Sequence, residues 1–193
     1  MAKRIAFIGA AGSGKSTLAT EVFVELKKRN RNAEIINEWV RYDIQANGPM
    51  QSIWEQYRTL NHQRDLEKAV PDSVDYVIVD SGVLTPYFYA ALYVDGNDSR
   101  QRLVLQDMHK YLINDMYLRW YDVVFYLPLK YTKEATDKLL KDGTRYQTDN
   151  ELNILDSHMN LMFNQLNKID NIYTIDGPLD SRLNAVLKVL GVD

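Results

Sequence analysis

The segment from Arg4 to Thr17 constrains the fold more than any other, because an apolar run leads directly into a glycine-rich stretch. The pattern G-x-x-x-x-G-K-[ST] is filled by Gly9, Gly14, Lys15 and Ser16. In such a strand-to-helix turn, backbone N–H groups point into one concavity at a helix N-terminus, where a polyphosphate fits. The segment therefore predicts a phosphate-binding loop (P-loop) between a buried strand and a helix, and with it the binding of ATP or GTP.

The residue types of this loop indicate their roles. Lys15 supplies a positive charge to the β- and γ-phosphates, and the Ser16 hydroxyl supplies a ligand to Mg²⁺. A glycine-rich turn without a ligand is the structural alternative, but the complete pattern and its flanks favour the P-loop. We expect the donor nucleotide to contact Gly9, Gly12, Ser13, Gly14, Lys15, Ser16 and Thr17.

The composition is typical of a compact soluble enzyme. A chain of 193 residues suits one domain, 1–193, and it contains no apolar run long enough to cross a membrane. The sequence has no cysteine, so we expect a reducing, cytoplasmic location. The net charge of -3 argues against a broad nucleic-acid surface but leaves a local basic cleft open. We expect a monomer or a homodimer.

Short β-branched or aromatic runs alternate with helical stretches along the chain. The predicted strands are 4–8, 33–37, 76–80, 123–127 and 171–175, and the predicted helices follow the P-loop or cover 50–70, 98–120, 150–168 and the segment from 178 onward. Thr148 and Glu151 form a capping-box pair before the fourth of these helices. The alternation predicts an α/β fold of three layers, in which a five-stranded parallel sheet has helices on both faces.

Polar side chains follow the second and third strands, where ligands gather in such sheets. Asp80 ends an apolar strand, as a Walker B carboxylate does, and we expect it to bind Mg²⁺. Glu38 is placed to accept a proton from an attacking hydroxyl, and Arg41 can grip a phosphate or carboxylate. The structural alternatives are that Asp80 caps the following turn and that Glu38 pairs with Arg41 on a helix.

Aromatic residues after these two strands are candidates for binding the acceptor. Trp39 or Tyr42 can stack on a flat base, and the stretch Thr85 to Tyr93 could form a wall of the acceptor pocket through Tyr87 and its neighbours. The alternative is ordinary packing, with Trp39 and Tyr42 in the core and the tyrosine-rich stretch on an amphipathic helix.

The segment after the fourth strand is basic and contains a turn. Five cations lie between Leu127 and Asp149, and Asp142-Gly143 can act as a hinge. Kinases close a basic lid over the transferring phosphoryl group, because its charge is better stabilised when water is excluded. We therefore predict a small lid at about 128–148, with Arg145 as its catalytic arginine and the lysines on a solvated helix face.

The order of these motifs resembles the P-loop kinases related to the ribosylnicotinamide kinase domain of NadR proteins, a group of AAA-type ATPase-like kinases. "GAAGSGKST", "NEWVRYD", "VIVDSGVLT" and "DGTRYQTD" carry the resemblance over nearly the whole chain. It implies a nucleoside and nucleotide kinase core, ATP as donor and a small acceptor hydroxyl. It also implies that Gly14 to Thr17 hold the donor phosphates and Mg²⁺, that Asp80 supports the metal or the acceptor, and that Arg145 is the lid arginine.

Several functions are compatible with these motifs. The first is an ATP- and Mg²⁺-dependent kinase of a nucleoside-like acceptor, with Glu38 or Asp80 as the base. Convergence of Arg41, Arg58 and Arg64 would instead favour a nucleoside monophosphate, and an open basic groove would favour a modified nucleoside in DNA. An NTP-hydrolysing switch or binding module is the alternative outside the kinases, because a P-loop alone does not prove transfer.

Overall fold

The computed structural model describes residues 2–50, 52–117, 119–129, 146–165 and 171–192. Within these ranges, five strands form one parallel sheet in the order β2-β3-β1-β4-β5. The strands are β1 (Lys3–Ile8), β2 (Ala33–Ile36), β3 (Tyr76–Asp80), β4 (Val123–Tyr126) and β5 (Ile172–Thr174). The helices are α1 (Lys15–Lys28), α2 (Trp39–Asn47), α3 (Ile53–Lys68), α4 (Thr85–Tyr93), α5 (Ser99–Tyr117), α6 (Asp149–Gln165) and α7 (Leu179–Leu190). This arrangement confirms the predicted α/β fold.

The central strands bury both faces, as their uninterrupted apolar sequences require. On β1, Ile5 and Phe7 pack with α1 and α7 on one face of the sheet. Ala6 and Ile8 pack on the other face with apolar residues of α3 to α6. The alternation follows from the two-residue period of a strand. It produces two apolar cores, one on each side of the sheet.

The ends of the predicted helices follow local capping chemistry. The Thr148 hydroxyl accepts a hydrogen bond from the Glu151 amide at 3.3 Å, and the Thr148 amide donates to the Glu151 carboxylate at 2.7 Å, which confirms the predicted capping box. Ser52 and Glu55 form a second capping box, which starts α3. Pro178 lies immediately before α7. No helix in the described ranges is both long enough and apolar enough to span a membrane.

Two short helices were not predicted as separate elements, and they border the strand ends that carry Glu38 and Asp80. Helix α2 contains no fully buried residue, and Tyr42 is 55% exposed, so burial in the core contributes little to this helix. Helix α4 is nearly all apolar and gives no amphipathic pattern. The predicted lid lies largely outside the described residues, because 130–145 are not among them.

Candidate active site

The predicted P-loop joins β1 to α1 with the backbone geometry that its glycines permit. Gly12 and Gly14 have φ angles of 87° and 89°, in the left-handed region that other residues rarely adopt. A Cβ at Gly9 would lie 2.6 Å from the Leu127 carbonyl oxygen, so only glycine fits there. The loop therefore passes close to the end of β4 and delivers its backbone to the N-terminus of α1, which is suited to a phosphate.

An arginine of α7 connects the P-loop to the segment before that helix through hydrogen bonds. Arg182 donates one hydrogen bond from Nη1 to the Ser13 carbonyl at 2.8 Å and another from Nε to the Gly177 carbonyl at 2.7 Å. These contacts join the loop to the segment that follows β5. Arg182 was not predicted as a site residue, because in the sequence it is one more charged residue of an amphipathic helix.

Charged side chains from three segments meet in front of the loop. Lys15 and Asp80 are each only 5% exposed, and Glu38 and Arg41 interact electrostatically with Asp80. Burial raises the pKa of Asp80, and the Glu38 carboxylate raises it further, while Lys15, Ser16 and Arg41 oppose the rise. The structure thus brings together Lys15, Ser16, Glu38, Arg41 and Asp80.

Asp80 and Ser16 are chemically suited to Mg²⁺. The Asp80 Oδ1 atom is buried and has no hydrogen-bond partner among the described residues. A buried carboxylate oxygen without a donor is unfavourable, and a cation would satisfy it. Mg²⁺ in nucleotide sites is commonly held by one or two protein oxygens together with phosphates and water. The donor set therefore fits this ion.

A cavity of about 570 Å³ extends from the P-loop over the adjoining helices. Its volume is within the range of about 300 to 1,000 Å³ that is usual for small-molecule sites. Lys15, Ser16, Glu38 and Arg41 line one end. The remaining walls include residues from α3, α4 and the segments beside them: Ile53, Gln56, Thr59, Gln63, Thr85, Tyr89, Tyr93, Asp95 and Glu151.

The predicted substrate-binding residue Tyr87 does not lie where it was expected. Tyr87 is buried at 8% exposure and packs on Phe88, His109 and His158, so it faces the core and does not line the cavity. This placement corrects the expectation for Tyr87, and its neighbours Tyr89 and Tyr93 take that position. The helical period explains the difference, because residues two apart on a helix face different directions.

Tyr42 and Arg145 complete the predicted set. Tyr42 lies outside the larger cavity and lines a smaller one of about 280 Å³ together with Ser16, Glu38 and Asp80. The core packing considered for Tyr42 does not occur, since the side chain is mainly exposed. Arg145 falls outside the described residues.

A buried polar network, which was not predicted from the sequence, adjoins the cavity. Glu67, near the end of α3, has an exposure of 0%. Its carboxylate accepts hydrogen bonds from Trp120 Nε1 at 2.7 Å, the Tyr121 hydroxyl at 2.9 Å and Gln63 Nε2 at 3.3 Å. Burial raises the pKa of Glu67 to about 7, although these three hydrogen bonds and the nearby charge of Arg4 oppose the rise.

This raised pKa predicts a pH-dependent stability. The folded protein holds the Glu67 proton more tightly than the unfolded chain, where the pKa is near 4.5, so the contribution to stability is complete below pH 4.5 and is lost as the pH rises through about 7. We expect the free energy of unfolding of the wild type, relative to that of Glu67→Gln, to fall by roughly 2 to 3 kcal/mol across this range. Urea unfolding of both proteins would measure it, and a constant difference would contradict the raised pKa.

A family model described as an AAA domain matches residues 4–168. No curated protein sequence gives a significant match.

Solved kinase structures share the fold at low sequence identity. A NadR protein in complex with NR superimposes with a TM-score of 0.74 at 16% identity, covering 100% of this chain and 52% of that one. This chain therefore spans about half the length of that NadR structure. Deoxyadenosine kinase from M. mycoides with bound dCTP has a TM-score of 0.68 at 17% identity, covering 98% of this chain and 100% of that chain.

Thymidylate kinase from Ehrlichia chaffeensis has a TM-score of 0.67 at 16% identity, and the match covers 98% of each chain. The fold is thus that of the P-loop kinases. Since the AAA domain model matches most of the sequence, the chain belongs to the AAA domain family.

Proposed function

We propose that this protein is an ATP- and Mg²⁺-dependent kinase that transfers the γ-phosphoryl group to a hydroxyl of a nucleoside-like acceptor. One observation carries the proposal: the P-loop lysine and the strand-end carboxylate of Glu38 line the same end of a cavity large enough for a nucleoside. A nucleotide switch needs no acceptor cavity beside its P-loop. The kinase fold of the structural neighbours supports the same reaction class.

Each residue at this end of the cavity has a defined task in the proposed reaction. The P-loop amides and Lys15 bind the β- and γ-phosphates, and Lys15 stabilises the charge on the transferring group. The oxygen of the acceptor hydroxyl forms a bond to the γ-phosphorus. A carboxylate, Glu38 in our assignment, accepts the proton of that hydroxyl. The bond from this phosphorus to the bridging oxygen breaks, and ADP leaves.

The roles of the other candidate site residues are assigned from their positions and their chemistry. Asp80 and Ser16 would hold Mg²⁺, which when bound neutralises part of the phosphate charge. Arg41 lines the end of the cavity near Lys15 and would orient the γ-phosphate or the acceptor. The sequence resemblance supports Arg145 as the lid arginine.

Charge distribution in the cavity favours a nucleoside over a nucleoside monophosphate. Lys15 and Arg41 are the cations of its described lining, and both lie with Glu38 at the P-loop end. Elsewhere the lining carries the carboxylates of Asp95 and Glu151, which would repel a phosphate.

The three arginines that would have indicated a monophosphate do not converge. Arg58 forms an ion pair with Asp43 at 2.8 Å, and Arg64 packs over the ring of Trp120 at 5.1 Å. Neither of these arginines lines the cavity, whereas Arg41 does. A second phosphate-binding cluster is thus lacking in the described lining.

An acceptor screen tests this assignment. Purified protein, Mg²⁺ and γ-labelled ATP are incubated with nucleosides, ribosylnicotinamide, the matching monophosphates and a DNA oligonucleotide, and label transfer is followed. We expect transfer to a nucleoside-type compound and at least about tenfold less to its monophosphate. Preferred labelling of a monophosphate or of the DNA would overturn the nucleoside assignment.

The tyrosines of α4 give two variants that test which side chain borders the acceptor. Tyr89→Ala should raise the KM of the accepted nucleoside by about tenfold, because Tyr89 lines the cavity and would lose its stacking surface. Tyr87→Phe should leave that KM within about twofold, because Tyr87 faces the core. Steady-state kinetics with the best acceptor from the screen would measure both, and the reverse order of effects would place Tyr87 in the site.

A further inference from the structure

We propose that Glu67 is a positioning residue, which holds the turn after Asp80 and the start of the helix after Glu38 in fixed relation across the active site. The proposal rests on the proposed function for its effect on catalysis, but the connections themselves are properties of the fold. They run from the Glu67 carboxylate along two chains of hydrogen bonds.

The first chain reaches the turn that follows β3. The Tyr121 hydroxyl donates to Glu67 Oε1 at 2.9 Å and accepts a hydrogen bond from the Val83 amide at 2.7 Å. Ser81 and Gly82 have positive φ angles of 70° and 56°, and a Cβ at Gly82 would lie 2.3 Å from the Tyr121 hydroxyl. The turn therefore lies directly on Tyr121, and its path out of Asp80 depends on where that hydroxyl is held.

The second chain reaches the N-terminus of α2. Gln63 Nε2 donates to Glu67 Oε1 at 3.3 Å, and Gln63 Oε1 accepts from the Trp39 amide at 3.2 Å. Trp39 is the first residue of α2, and Glu38 before it makes no side-chain capping bond. Gln63 thus satisfies a helix N–H group that would otherwise need another partner. Since Gln63 lines the cavity, loss of Glu67 would free its amide to turn toward the acceptor.

The count of donors favours a carboxyl group over an amide at this position. Three neutral N–H and O–H groups converge on its two oxygens. An amide at this position would direct its NH₂ group at one of those donors and leave at least one buried polar group unpaired. Ordinary packing would not need an ionisable side chain with 0% exposure. The residue instead joins the segment that follows Asp80 to the segment that follows Glu38.

The test compares Glu67→Gln with Trp120→Phe in the full chain. Trp120 donates the third hydrogen bond to Glu67, and this branch leads to neither Asp80 nor Glu38. Both variants leave part of the network unpaired, so both lose stability. Only Glu67→Gln should lower kcat, by about tenfold, through misplaced catalytic groups. Because the P-loop is outside the network, the KM for ATP at saturating Mg²⁺ should stay within about twofold in both variants.

Hydrogen exchange provides a readout that does not depend on activity. In Glu67→Gln without nucleotide or acceptor, the Val83 and Trp39 amides should exchange at least about tenfold faster than in the wild type, while Trp120→Phe leaves them unchanged. Should Glu67→Gln fail to fold, Tyr121→Phe tests one chain alone. It should speed exchange at Val83, leave Trp39 unchanged and lower kcat.

The outcomes separate the two proposals. Unchanged exchange at Val83 and Trp39 in Glu67→Gln, or an equal loss of kcat in Trp120→Phe, would overturn the positioning role. If the wild type transfers phosphate to no acceptor, the proposed function fails, while the exchange rates still decide whether Glu67 holds the two segments.

Discussion

Lys15→Ala should lower kcat by about a thousandfold or more while the protein stays folded. Lys15 is 5% exposed at the start of α1, and in the proposed reaction its ammonium group would contact the transferring phosphates. Its charge acts most strongly when negative charge develops in the transition state, so the loss falls mainly on kcat. Initial rates of ADP formation in the presence of acceptor would measure the effect.

Lys28→Ala is the matched control for this substitution. Lys28 lies at the other end of the same helix, and its exposed side chain forms a surface ion pair with Glu25 at 2.8 Å. Such pairs contribute little, so activity and thermal stability should change only slightly. Retained transfer in Lys15→Ala would remove the P-loop lysine from the mechanism, whereas unfolding of that variant, seen by circular dichroism, would show a structural role.

Glu38→Gln should lower kcat by about a hundredfold or more with little change in the KM for ATP, because the amide cannot accept the proton of the acceptor hydroxyl. Asp80→Asn should instead raise the Mg²⁺ concentration needed for half-maximal rate, since it weakens an oxygen ligand. Magnesium titrations of the rate in both variants separate the base from the metal ligand. The two variants are isosteric and serve as controls for each other.

The opposite pattern would exchange the two roles. If Glu38→Gln shifts the Mg²⁺ requirement and Asp80→Asn lowers the rate at saturating Mg²⁺, Asp80 is the base. An unchanged rate in Glu38→Gln at all Mg²⁺ concentrations would exclude Glu38 from both functions.

Local sequence patterns were sufficient to predict the sheet and the P-loop. The strands are short apolar runs bounded by polar residues, and the predicted ranges agree with the observed ones within about two residues. The glycines of the P-loop could be recognised from the sequence, because a left-handed backbone conformation favours glycine. Gly12 and Gly14 both adopt that conformation in the structure. The meeting of Glu38 and Asp80 followed from the rule that parallel strands end at one edge of the sheet.

Features that depend on tertiary packing were not predictable in this way. Glu67 occurs among charged residues of a helix that looks exposed in sequence, and only the approach of Trp120 and Tyr121 makes it a buried acceptor. Arg182 reaches Ser13 across 169 residues of sequence. The prediction for Tyr87 was wrong because an apolar helix gives no hydrophobic period from which to assign its faces.

The most direct measurement of the central claim is a ³¹P NMR time course of wild-type protein with ATP, Mg²⁺ and the best acceptor from the screen. A kinase predicts a new phosphate monoester resonance that grows in step with the signals of ADP and is absent when Lys15→Ala replaces the wild type. Growth of inorganic phosphate alone, at a rate that the acceptor does not change, would contradict transfer and identify the protein as an NTP hydrolase.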